Sequence, residues 1–106
     1  MNDDDKKVFQ REILFSFWKI HILRHAGRRP VYGQWMLQEL RRHGYDVSPG
    51  SLYPIFHRML RFGWLEQVEN GPGDTSSRHL YVLTDKGREI LDAATALFEE
   101  VRGKPH

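Results

Sequence analysis

The stretch Ser48-Pro49-Gly50-Ser51-Leu52-Tyr53-Pro54 (SPGSLYP) runs directly into residues 55–64 (IFHRMLRFGW), and the two halves make opposite demands on the backbone. Two prolines and a glycine argue for a turn, whereas the residues that follow argue for an amphipathic helix. With Leu52 at the origin of a helical wheel, Ile55, Phe56 and Met59 fall within about 60° of it and Leu60 lies just beyond, a stripe suited to a core. The opposite side carries Gly50, Pro54, His57 and Arg61, flanked by Ser51 and Arg58 on one edge and Tyr53 on the other. That face is small at its N-terminal end and cationic at its C-terminal end, a shape for phosphate and base contacts rather than for packing.

Two starts for this helix are compatible with the sequence. Ser48 can cap it with Pro49 in the first helical position, where a missing N–H costs nothing. Pro54 then removes the bond to the Gly50 carbonyl, and a distorted first turn is expected before a regular helix from about Leu52. Alternatively Ser51 is the cap, and Pro54 falls in a tolerated first-turn position. Either start leaves free N–H groups and a positive dipole end beside the Ser48, Ser51 and Tyr53 hydroxyls, which suits a phosphate.

On the N-terminal side, residues 3–25 contain neither proline nor glycine and open on three aspartates, so a long first helix is expected, stopped by Gly27. Its apolar residues, among them Phe9, Leu14 and Trp18, cover much more than one stripe. A small domain can bury such a helix on two sides only by giving one side to a second subunit. Pro30 fits the first turn of a second helix, with Val31, Trp35, Met36 and Leu40 near helical spacing up to a stop at Gly44. On the C-terminal side, residues 64–69 and 78–83 have strand length, and Leu80 and Val82 alternate with His79, Tyr81 and Leu83. The Gly/Pro/Ser-rich NGPGDTSS between them predicts a β-hairpin with a long tip. Thr84 caps a final helix to about Val101, with a stripe of Ile90, Leu91, Ala94, Leu97, Phe98 and Val101.

The order helix, helix, helix, hairpin, helix predicts an α+β, mainly helical fold, a winged helix-turn-helix with an additional C-terminal dimerisation helix. One domain over residues 1–106 is expected, with the winged part over about 8–84 and the dimerisation helix over 85–101. Charge supports a polyanion partner. The net formal charge of +2 divides into −1 over residues 1–18, +6 over 19–63 and −3 over 64–106. The chain has no cysteine, which excludes disulfides and thiolate metal sites, and no apolar run of membrane-spanning length. The acidic start lacks a signal-peptide pattern, so a cytoplasmic protein with no membrane contact is expected.

GSLYPIFHRMLRFGWLE followed by RHLYVLTDKGREIL resembles the PadR family of bacterial transcriptional regulators, over roughly residues 13–97. The family pattern is a GSLYP-type recognition helix, an arginine a turn later, a closing glycine, and an aromatic strand ending in Leu-Thr before a glycine-containing helix. The resemblance implies a homodimer formed through the N- and C-terminal helices that binds double-stranded operator DNA and represses transcription until an effector binds. It puts Ser51, Tyr53, Pro54 and Arg58 on the DNA-reading helix and Arg78 near the wing tip. Together with the outward face, the expected DNA-binding set is Ser48, Gly50, Ser51, Tyr53, Pro54, His57, Arg58, Arg61 and Arg78, with Arg41 and Arg42 adding phosphate neutralisation. The expected dimerisation set is Phe9, Leu14, Trp18, Ile90, Leu91, Ala94, Leu97, Phe98 and Val101. Trp18 and Phe98 are the aromatics that a planar effector would meet at that interface, where some short family members stack drugs. Some positions depart from the family pattern: Pro30-Val31-Tyr32-Gly33-Gln34-Trp35-Met36 in place of Pro-x-His-Gly-Tyr-Glu-Leu, Leu60 at a usually acidic position, and Leu80 at a wing aromatic.

No cofactor, metal or catalytic site is expected. His21 and His25 are four apart on one helix but have no carboxylate or cysteine at ligand spacing. Gly71-Pro72-Gly73 lacks the remainder of a phosphate loop. Ser51 and His57 lie ~120° apart on the wheel with no third group. The competing reading is a winged-helix protein-interaction module without DNA binding.

Overall fold

A computed structural model describes residues 1–68 and 79–103; the expected hairpin tip, residues 70–77, and Arg78 lie outside them. Asn2 caps the N-terminal helix by accepting from the Asp5 amide at 2.8 Å. The helix runs as α1 (Asp3–Phe9), a π-helical turn (Gln10–Leu14) and α2 (Phe15–Arg28). Its first half buries nothing, whereas α2 buries Trp18, Ile22, Leu23 and Ala26. Gly27, expected as the stop, lies inside α2. A Cβ there would meet the Arg88 Nη2 at 2.8 Å and the Leu83 Cδ2 at 2.9 Å, so its small size serves close packing.

Pro30 does not start a helix. Val31–Tyr32 form a short strand, β1, and the next helix, α3, spans Gly33–Arg42. β1 pairs antiparallel with β3 (Leu80–Leu83), placing Val31 opposite Tyr81, and β2 (Leu65–Val68) pairs with the other edge of β3. The sheet order is therefore β1-β3-β2, one strand more than the expected hairpin. Tyr81, not Leu80 and Val82, turns fully into the core, where its ring stacks on Phe56 with centroids 4.6 Å apart.

Helix α4 (Pro49–Phe62) lies between α3 and this sheet, and the core runs from Trp18 and Ile22 through Met36 and Leu40 to Leu52, Phe56 and Met59. Gly63 ends α4 at φ 78°, a left-handed conformation that favours glycine. The Thr84 hydroxyl then ties the two ends together. It donates to the Gly63 carbonyl at 2.5 Å and accepts from the Gly87 amide at 2.9 Å, starting α5 (Asp85–Val101). A Cβ on Gly87 would run into the Trp64 carbonyl oxygen, a backbone atom that cannot rotate away. Gly87→Ala is accordingly expected to cost about 1–3 kcal/mol and to lower the thermal midpoint by roughly 5–20 °C, with Glu89→Ala on exposed α5 surface as the control. Equal melting of the two variants would contradict this contact.

Candidate nucleic-acid interface

Helix α4 is two-sided. Leu52, Ile55, Phe56 and Met59 are buried, whereas Ser48, Gly50, Pro54, His57, Arg58 and Arg61 are exposed. Ser48 is the cap: its hydroxyl accepts from the Ser51 amide at 3.2 Å, and its carbonyl accepts from the Ser51 amide at 3.1 Å and the Leu52 amide at 3.0 Å. Pro54 therefore lies inside a continuous helix, and the Ser51-cap alternative does not hold. Of the first three residues of α4, Gly50 alone keeps an unused N–H, since Pro49 has none and that of Ser51 is bonded. The anion-binding start is narrower than the sequence suggested. Ser48→Ala should cost about 1 kcal/mol and Ser51→Ala distinctly less in denaturant unfolding; the reverse order would restore Ser51 as the cap.

Gly50 is demanded neither by packing nor by backbone angle. A Cβ there would meet just the Ser48 Oγ, at 3.9 Å, and its φ is ordinary for an L residue. The Tyr53 ring, in contrast, is half-buried against the start of α3, where a Cβ on Gly33 would approach its Cε1 to 2.8 Å. Tyr53 thus holds α4 to α3 while keeping part of its surface outward.

Arg58 and Arg61 have no hydrogen-bond or ion-pair partner among the described residues. Lys19, on α2, joins this basic side. Partial burial holds its ammonium below the usual lysine range, and the neighbouring Arg58 guanidinium adds to that. Sequence reading missed this lysine because it lies 39 positions from Arg58 and meets it only through the α2–α4 arrangement. Arg41 and Arg42 are committed locally. Arg41 donates to the Val47 carbonyl at 3.0 Å across the turn, and Arg42 is paired with Glu39.

The expected dimerisation residues separate into three groups. Leu97, Phe98 and Val101 are 61%, 40% and 79% exposed, and Phe9 is exposed on α1. Leu14, Ile90 and Ala94 are half-buried. Trp18 and Leu91 belong to the protomer's own core; Trp18, against Phe15 and Tyr45, is 1% exposed. Trp18 therefore does not reach the position expected of it in an interface or effector pocket. Phe98 does line a cleft of about 400 Å³ between α2 and α5, together with Phe17, Trp64 and Leu97.

A supporting helix, a turn, an outward-facing helix and a flanking antiparallel sheet are the winged helix-turn-helix fold of transcriptional regulators. Residues 22–93 match the transcriptional regulator PadR-like family, and the chain belongs to that family. Transcriptional regulator Rv3488 of Mycobacterium tuberculosis is 42% identical over 91 residues, covering 86% of this chain and 84% of that protein. A PadR family transcriptional regulator from Eggerthella lenta superposes with a TM-score of 0.79 at 25% identity, over 95% of this chain and 88% of that one. A PadR-like transcriptional regulator from Bacillus cereus does so with a TM-score of 0.74 at 28% identity, over 90% and 89%. Among the described residues no helix is long and apolar enough to cross a membrane.

Proposed function

We propose that this regulator binds double-stranded operator DNA as a homodimer and represses transcription, with α4 as the recognition helix in the major groove. The observation that carries the reading is the outer side of α4: two arginines with no hydrogen-bond or ion-pair partner among the described residues, and an exposed Gly50 and Pro54 at its start, where among the described residues the Ser48 hydroxyl alone comes near Gly50. A bare start lets backbone and hydroxyl donors approach a phosphate closely, while Arg58 and Arg61 neutralise phosphates further along. His57 and Pro54 are placed to meet base edges and thymine methyl groups.

The dimer is formed by the exposed apolar residues of α1 and α5, and its two-fold symmetry demands a pseudo-palindromic site. The cleft beside Phe98 falls within the size range of small-molecule sites and is where an effector would bind once a second subunit covers it. A salt-titrated gel shift on the DNA upstream of the protein's own gene tests this reading. Binding that survives competitor DNA is expected. Absence of binding at low salt, on both this DNA and random duplexes, would favour a protein-interaction module.

A further inference from the structure

Three histidines that play no part in this reading gather where α2 meets the turn between α3 and α4. The His21 ring stacks on His43 with centroids 5.6 Å apart and on His25 at 6.4 Å, and its Nε2 lies 3.3 Å from the Tyr45 hydroxyl. The His25 ring meets Trp35 edge-on at 5.3 Å, and the His43 Nε2 is 3.3 Å from Glu39. The rings lie nearly parallel, at 17° and 25°, so their nitrogens do not converge as metal ligands would. Among the described residues there is no group of His, Cys, Asp and Glu that could hold a metal ion.

We propose that His21, His25 and His43 form a proton-operated latch that holds the helix-turn-helix turn against α2 while its rings are neutral and releases the turn when they are protonated. His43 and Tyr45 belong to the turn that leads into Ser48 and Pro49, so the latch acts on the start of the recognition helix. Neutral imidazoles stack without repulsion, and the His21 Nε2 can accept the Tyr45 hydroxyl proton. Protonation removes that acceptor and sets like charges face to face.

The surroundings offset such charges only in part. On α2 the neighbours are Arg24 and Arg28, both cationic; on α3 they are Arg42 and a single carboxylate, Glu39, which Arg42 and the His43 Nε2 share. Across the cleft that His21 also lines, α5 contributes Arg88, Asp92 and Glu99, with Glu99 paired to Arg102. Burial, followed by the His43 charge, holds His21 below the ordinary imidazole value of 6.5. Burial likewise holds His25 below 6.5, partly opposed by Glu39. An unfolded chain has no such depression, so it binds more protons than the folded chain below 6.5. The stability contributed by the neutral rings is complete above that value and is lost as pH falls through the lower folded-state values.

The latch requires no DNA, and just its consequence for operator affinity rests on the α4 reading. The test is amide hydrogen exchange of the intact chain at about pH 8 and pH 5, with rates normalised to an unstructured peptide, alongside NMR titration of the histidine rings. Protection of residues 43–52 is expected to fall at least about tenfold more than protection of α5 on acidification, and the response should disappear in His21→Gln/His43→Gln. If that double variant does not fold, His43→Gln alone, at a side chain 44% exposed, should at least halve the response on a logarithmic scale. Equal protection of the turn at both pH values, an unchanged response in the foldable variant, or His21 and His25 titrating at or above 6.5 would overturn the latch.

Discussion

Alanine at both Arg58 and Arg61 is expected to lower operator affinity by about two to three orders of magnitude near physiological salt. It should also reduce the slope of log affinity against log salt by about 3.6, since the proposed dimer loses four phosphate contacts at about 0.9 each. Neither side chain has a hydrogen-bond or ion-pair partner among the described residues, so thermal unfolding should be nearly unchanged. That separation matters because a loss of binding accompanied by a loss of fold would say nothing about the interface. Arg42→Ala is the informative comparison: its guanidinium is already neutralised by Glu39, so a much smaller change in salt slope is expected. A salt slope left intact by the double substitution would move the DNA contact away from α4.

The second large effect concerns assembly. Leu97→Asp with Val101→Asp should convert the proposed dimer to monomer in sedimentation velocity and abolish binding to a two-half-site operator. The two residues are 61% and 79% exposed in the protomer, so aspartate there leaves the intramolecular core untouched. Burying Leu97, Phe98 and Val101 against a second copy is worth on the order of 1.5–3 kcal/mol per side chain before ordering costs, and charged replacements both remove that gain and penalise contact. Leu91, 7% exposed beneath them, is the contrasting position, where truncation would unfold the protomer instead. A monomeric wild-type chain, or an unchanged mass in the variant, would contradict the assignment.

Helix periodicity and the stops at Gly44 and Gly63 were legible because each depends on neighbouring residues, whereas Gly27, expected as a stop, lies inside α2. Leu52, Ile55, Phe56 and Met59 face inward as their spacing requires, and Gly63 closes α4. β1 was not legible: two residues have no period, and a proline just before them imitates a helix start, so only pairing with β3 decides the matter. The burial of Trp18 is a similar case. Its helix is apolar on several sides, and the wheel alone cannot say which side packs on Tyr45 and which faces outward. Within the candidate site the exposed cations were readable as charges, but their pairing was not. Arg42 and Arg61 look alike in sequence, and the position of Glu39 one turn before Arg42 takes that arginine out of the free set. His21 and His25 are visible as an i, i+4 pair, whereas His43 joins them only through the tertiary fold. Between Ser48 and Ser51 as caps, local sequence had no means of choosing, because both hydroxyls satisfy the same rule; the Ser51 amide bonding back to Ser48 chose the earlier one.

Selection of binding sites from random duplex DNA by the intact wild-type chain, in the presence of competitor, tests the central claim most directly. The expected product is a pseudo-palindrome whose half-sites lie about one helical turn apart, 10–10.5 base pairs centre to centre, read by two α4 helices in successive major grooves. Failure to enrich any motif at low salt by a folded protein would contradict it.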